Sequence, residues 1–208
     1  MAERTVEDRL REEYFRLLPD LQRVVEEIET TVRHCLLPMT GTLDRHERLV
    51  VKSRVKDCES AINKLRKREG RIFDADQVES YTLTSLKDLA AVRVLAFPRS
   101  RWLEANNVVR QFFSTWISDP IPSDRGDEVL AYKYYGHSEA SAKFRAEVQI
   151  VPMLIGLFWD VEHSAVYKLS PMITDVPLAM KDHNGRVIDA LNAFDVEFER
   201  VILLNPLR

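Results

Sequence analysis

The chain has 208 residues, of which 30% are charged, and a formal net charge of -3. That length suits one domain with a sizeable core. The near-neutral charge argues against the broad basic surface of a general nucleic-acid binder, and no apolar run approaches the ~18 residues of a membrane span.

Thr5 to about Leu37 reads as a long amphipathic helix. Thr5 and Asp8 resemble a capping box, and Leu10, Tyr14, Leu17, Leu18, Leu21, Val24, Val25 and Ile28 recur at helical spacing. Pro38 is expected to stop it, with a loop to Arg45. Leu49 to Ser53 reads as a short strand feeding a basic helix that ends near Gly70. Phe73 to Tyr81 is a connector, and Thr84-Ser85 leads to Asp88. Asp88 opens a mostly apolar strand, Asp-Leu-Ala-Ala-Val-Arg-Val-Leu-Ala-Phe. Trp102 to Trp116 is expected as a helix burying Leu103, Val108, Val109, Phe112 and Phe113. Asp119 to Asp127, with Pro120, Pro122 and Gly126, reads as a turn-rich loop. Val129 to Tyr135 and Phe144 to Val151 suggest an antiparallel pair. Pro152 to Leu169 and Val187 to Leu204 read as helices, the latter burying Ile188, Leu191, Phe194, Phe198 and Ile202. A central sheet flanked by helices follows, an α+β class.

The N-terminus lacks the apolar core of a signal peptide, so a cytoplasmic protein is expected. Cys35 and Cys58 lack metal-ligand spacing and read as reduced and structural.

The most informative stretch is Arg54 to Lys64. Lys56, Ser60 and Lys64 fall at steps of four, one helix face, with Arg54 just before. Cations and a hydroxyl in that row suit a polyphosphate, and an Arg fork can also stack on a base. A solvated basic face has the same pattern. Positive charge is concentrated here, with Lys52, Arg66, Lys67, Arg68 and Arg71 forming a basic rim. Downstream, Glu147 opens the strand Glu-Val-Gln-Ile-Val, whose alternation puts Glu147 and Gln149 on one side. Asp88 and Glu147, if the fold joins them, make a hard oxygen site for Mg²⁺; the alternative is two strand-end acids facing water. Tyr132, Lys133, Tyr134, Tyr135 and His137 offer stacking and cationic groups, or else an edge strand packing its Tyr side chains. His163 is equally read as a satisfied interior histidine.

In order and spacing, four motifs resemble the synthetase domain of RelA/SpoT-type alarmone synthetases, and the chain is similar to its small single-domain members. They are Arg-x-Lys-x-x-x-Ser-x-x-x-Lys (54 to 64), Asp-Leu-x-x-x-Arg (88 to 93), Glu-Val-Gln-Ile (147 to 150) and Glu-His-x-x-x-Tyr-Lys (162 to 168). The resemblance implies a nucleotidyltransferase-like mixed sheet with long N- and C-terminal helices. It implies one synthetase domain, with residues 1–45 as a helical extension, 46–170 as catalytic core and 171–208 as C-terminal helix. The implied reaction moves the β,γ-pyrophosphate of ATP onto the 3′-hydroxyl of GTP or GDP, giving (p)ppGpp and AMP. By the same resemblance, Arg54 and Arg93 sandwich adenine, and Lys56, Ser60 and Lys64 hold the ATP phosphates. Asp88 and Glu147 bind Mg²⁺, Gln149 sits beside the acceptor ribose, and Glu162 and His163 support that side. Tyr132, Lys133, Tyr135 and His137 are the implied acceptor contacts, with Tyr132 at the family's base-stacking position. A homo-oligomer is expected.

The acceptor half departs from the family pattern. Leu130-Ala131 replaces the Asn-Gly before the stacking Tyr, Gly136 stands where a His is usual, and Val151-Pro152 replaces Arg-Thr. Relatives that use adenosine nucleotides, or toxins that pyrophosphorylate tRNA 3′ ends, give the alternative acceptors. A nucleotide-binding regulator without turnover is a third reading.

Overall fold

Helix α1 (Val6–Thr40) opens the computed structural model, which describes residues 5–70, 72–74, 79–123, 128–168 and 178–204. The Thr5 hydroxyl accepts the Asp8 amide at 3.1 Å, which satisfies one of the unpaired N–H groups of the first turn. The stripe from Leu10 to Ile28 is buried except for the half-buried Leu18. Pro38 does not stop the helix. It lies inside the last turn, where the chain runs on to Thr40. A proline there removes one backbone bond only two residues before the end, and the Thr40 and Thr42 hydroxyls donate to the Leu37 and Met39 carbonyls.

The sheet contains β1 (Arg48–Val55), β2 (Ala90–Phe97), β3 (Ile117–Pro122), β4 (Val129–Ser138) and β5 (Ser141–Pro152). Their spatial order is β1-β2-β5-β4-β3. Only β2 and β5 run parallel, and the other pairs are antiparallel. The sheet is therefore mixed. The segment from Asp119, expected as a loop, is strand β3 as far as Pro122. Pro120 and Pro122 are tolerated because β3 is an edge strand, where a missing N–H breaks no ladder. Residues 124–127 of that expected loop, and Arg71 of the basic rim, lie outside the described residues.

One face of the sheet carries the main core. Val92, Val94, Val148, Ile150 and Tyr134 pack there with α1 and α3 (Arg99–Phe112). Helix α3 starts three residues earlier than its apolar spacing suggests, and its buried side is Trp102, Ala105, Asn106 and Val109. Leu103 and Phe112 are exposed instead. Pro98 at its N-cap offers no side-chain acceptor. The need is met from α5 (Leu178–Leu204), whose Asp195 accepts from the Arg99 amide at 3.0 Å and whose Glu199 accepts from that of Ser100.

The opposite face is covered only in part. Leu95, Ala131 and Val151 pack with Ile155 of α4 (Met153–Lys168) and, beyond it, Ile188 and Leu191 of α5. Gly156 lets α4 lie on β2, since a Cβ there would overlap the Leu95 side chain. The rest of that face stays open. Cys35 and Cys58 are free thiols, and burial pushes the Cys35 thiol up to about 11. Among the described residues, no helix is long and apolar enough to cross a membrane.

Candidate active site

Strand register sets two rows of side chains across the open face. In the first, Arg54 lies opposite Ala91, Ala91 opposite Glu147, and Glu147 opposite Tyr135. In the second, Lys52 lies opposite Arg93, Arg93 opposite Gln149, and Gln149 opposite Lys133. Directly opposed residues point to the same face, so all these side chains share it. Ala91 leaves a gap between Arg54 and Glu147. A cleft of about 90 Å³ opens there, lined by Lys52, Arg54, Ala91, Arg93, Gln149 and Asp160 among others.

Helix α2 (Cys58–Arg68) brings the remaining cations. Asp57 caps it, accepting the Ser60 amide at 2.9 Å. Ser60 and Lys64 lie on the helix, but Lys56 precedes it. Lys56 is fixed by its backbone instead. Its N–H donates to the Leu89 carbonyl at 2.8 Å, and its carbonyl accepts the Tyr14 hydroxyl at 2.9 Å. The Lys56 and Lys64 ammonium groups then converge on Asp88 Oδ2, at 3.1 and 2.7 Å. Burial alone would raise the Asp88 pKa. Lys64 and Lys56 outweigh it and hold the carboxyl below its ordinary value. Asp88 Oδ1 is buried without a hydrogen-bond partner.

Glu147 is 3% exposed and accepts from the Gln149 amide. Gln149 in turn accepts from Arg93 Nε at 2.8 Å. The Tyr135 hydroxyl is raised in pKa by burial and then by Glu147, with which it shares a hydrogen bond. Lys87 Nζ lies 5.3 Å from the centre of the Tyr135 ring.

From α4, Asp160 reaches both Arg93 Nη1 at 2.7 Å and Lys52 Nζ at 3.0 Å. His163, one turn later, keeps much of its surface in water. Its pKa is lowered by desolvation and then by the charges of Arg54, Lys56 and Arg93, so the ring faces the cationic half of the site. It is not an interior histidine. Glu162 turns to α5 and accepts from Asn184. The Tyr167 and Lys168 side chains lie outside the described residues.

The expected acceptor contacts divide. Lys133 and Tyr135 share the face of Gln149 and Glu147. Tyr132 does not: it lies opposite Ile150 on the core face and stacks on Trp102 with ring centres 5.5 Å apart. Strand alternation is the reason, because Tyr132 and Tyr135 differ by an odd step. His137 Nδ1 pairs with the Phe144 carbonyl at 3.0 Å, within the hairpin. Gly136 lies against Trp116, and a Cβ there would overlap the indole. The departure from the family pattern at that position thus has a packing cause.

Asp160 had no signal in the sequence, since a lone acid inside a helix is ordinary. Only the approach of α4 to β1 and β2 makes it part of the cleft.

The fold, an α+β sheet flanked by helices, is similar to that of solved small alarmone synthetases. Small alarmone synthetase 1 from Bacillus subtilis, bound to its product pppGpp, is similar with a TM-score of 0.64 and 17% identity, over 90% of this chain and 95% of that one. The same protein bound to AMPCPP gives a TM-score of 0.60 and 18% identity, over 90% and 96%. A GTP pyrophosphokinase family protein from Streptococcus pneumoniae gives 0.60 and 20% identity, over 91% and 94%. No protein-family model matches the sequence, and no curated protein does.

Proposed function

We propose that this chain is an ATP-dependent pyrophosphokinase that transfers the β,γ-pyrophosphate of ATP to the 3′-hydroxyl of GTP or GDP, releasing AMP. The observation that carries this reading is the convergence of Lys56 and Lys64 on Asp88, beside a sheet face that carries Glu147 and a cleft flanked by Arg54 and Arg93. The similarly folded small alarmone synthetase 1 from Bacillus subtilis, bound to pppGpp and to AMPCPP, supports it.

Arg54 and Arg93 would take the adenine on either side of the gap above Ala91. Lys56 and Lys64 would exchange Asp88 for phosphate oxygens, and Ser60 would add a hydroxyl. The unpaired Asp88 Oδ1 and the buried Glu147 carboxylate fit a hard divalent cation such as Mg²⁺. When bound, that ion supplies charge stabilisation for the phosphates. The protein contributes mainly position and preorganised charge, as phosphoryl transfer requires. Gln149 would orient Glu147 and the acceptor ribose. Lys133 and Tyr135 would contact the acceptor. His163, with its lowered pKa, would stay neutral beside the cations at pH 7.

One observation favours a second acceptor class. Tyr132 is spent on Trp102, so base stacking of the usual kind falls to Tyr135 under Lys87. An adenosine nucleotide or a tRNA 3′ end would be the substitute for GTP or GDP. Self-association also fits, because Phe194, Val196 and Val201 are exposed on α5.

The test is thin-layer chromatography of reactions containing γ-labelled ATP, Mg²⁺ and one of GDP, GTP, ADP, AMP or bulk tRNA. Label on a guanosine nucleotide is expected. Label only on an adenosine nucleotide or tRNA would replace the acceptor. Tight ATP binding with no AMP released would refute the enzyme reading.

A further inference from the structure

The basic cleft has one acidic residue among its charged lining groups. Lys52, Arg54 and Arg93 supply three positive charges, and Asp160 supplies the only negative one among the cleft's described lining residues. Its two carboxylate oxygens are divided. Oδ1 takes Arg93 Nη1 at 2.7 Å, and Oδ2 takes Lys52 Nζ at 3.0 Å. Lys52 and Arg93 are directly opposed on β1 and β2, so Asp160 spans the second row from above.

Arg93 needs such a partner. Its side chain is 21% exposed, and burial lowers the pKa of its guanidinium; Asp160 acts against that, while Arg54 adds to it. A guanidinium so placed has two carboxylates within its field, Asp160 and Glu147. It is bonded to Asp160 directly, whereas Gln149 stands between it and Glu147. With Nη1 on Asp160 and Nε on Gln149, the fork is fixed at two corners, which sets the plane of the group.

We propose that Asp160 is a positioning residue for nucleotide binding: it holds the Arg93 guanidinium flat against the base cleft and keeps its charge off Glu147. This deepens the functional reading above and rests on it for the identity of the base. Asp160 touches the substrate only through what it does to Arg93. Without it, Arg93 would be free to turn toward Glu147, losing its base-facing plane and occupying the acid expected to hold the cation.

Simple electrostatics and positioning predict opposite signs. Removing a negative charge from a phosphate-binding cleft should tighten polyphosphate binding. Removing a positioning group should weaken binding of a ligand that carries the base. The experiment is isothermal titration of the whole chain with a non-hydrolysable ATP analogue and, separately, with inorganic tripolyphosphate, both with Mg²⁺. Asp160→Asn should raise the analogue's Kd about tenfold, the loss of one charge-assisted hydrogen bond. Tripolyphosphate binding should be unchanged or tighter, which also shows that the variant is folded. Combined with Arg93→Ala, Asp160→Asn should have no further effect, because its action runs through Arg93.

Unchanged or tighter analogue binding in Asp160→Asn would overturn the proposal. So would an equal loss in the Arg93→Ala background, or an equal loss for tripolyphosphate. Failure of the functional reading looks different: the analogue binds with the Asp160 dependence intact, yet no pyrophosphate is transferred to any acceptor. If the wild-type chain binds no adenine nucleotide, both readings fall.

Discussion

Asp88→Asn removes the anion on which two ammonium groups converge. The Lys56 side chain is 13% exposed and that of Lys64 is 50% exposed, so the two contacts are not equal. A charge-assisted hydrogen bond to a buried partner contributes about 1.5–3 kcal/mol, and an exposed pair below about 1 kcal/mol. The variant also leaves Lys56 without its counter-charge, which makes the loss real rather than a neutral exchange. A destabilisation of about 2–3 kcal/mol follows, and in a chain of this size that lowers Tm by roughly 4–12 °C. Activity should fall further than stability does. Removing one preorganised electrostatic group from a transfer site costs about a hundredfold or more in kcat. The assay is AMP release from ATP with Mg²⁺ at a temperature well below the variant's Tm, beside a thermal melt of each protein. Adding inorganic tripolyphosphate should restore part of the lost Tm, because it replaces Asp88 as partner of the two lysines. AMP release within tenfold of wild type would refute the assignment of Asp88 to the reaction. A Tm unchanged within 1 °C would refute the electrostatic argument itself.

Asp195 gives a pH-dependent prediction. Burial pushes its carboxyl up to about 6, against the Arg99 amide that favours the charged form. The folded chain therefore binds this proton more tightly than the unfolded one, and stability falls as pH rises from about 4 through about 6. Asp195→Asn keeps an acceptor for Arg99 and should stabilise by up to about 3 kcal/mol at pH 8, with a gain about 1 kcal/mol smaller at pH 5. Denaturation midpoints at the two pH values test it, and a pH-independent difference would sink it. Tyr135→Ala should raise the acceptor KM about tenfold, while Tyr132→Phe should leave it within about twofold, since Tyr132 lies on the core face. Initial rates with varied acceptor decide, and the reverse pattern would contradict the strand register. Gly136→Ala should cost about 1–3 kcal/mol by overpacking against Trp116, read by urea denaturation; a neutral result would mean the indole moves aside freely.

Local sequence determined the elements whose signals are local. The stripe of α1, the basic helix carrying Ser60 and Lys64 (though not Lys56, which precedes it) and the alternation of Glu147 with Gln149 follow from spacing alone. So did the pairing of β4 with β5, apart from its extent. Pro38 and the Asp119–Pro122 segment were misread for one reason. A proline's cost depends on how many backbone bonds it breaks, and that is small in a last helical turn or on a sheet edge. Helix α3 was placed late because its first residues, Arg99 to Arg101, include no apolar one, and its face was misread because Leu103 and Phe112, though apolar, face outward.

The site itself was legible as four motifs in order, but not as an arrangement. Asp88 and Glu147 are separated by the whole of α3 and β3, and only the parallel pairing of β2 with β5 brings their neighbourhoods together. Which tyrosine meets Glu147 depends on register, and their separation by an odd number of residues sends Tyr132 and Tyr135 to different faces. Asp160 belongs to the cleft only because Gly156 lets α4 rest on Leu95 of β2. The sequence by itself therefore determined which chemical groups are available and on what kind of element, because capping and periodicity act within a few residues. The tertiary structure decided which groups meet, because register, strand order and helix docking are set by contacts between segments far apart in the chain.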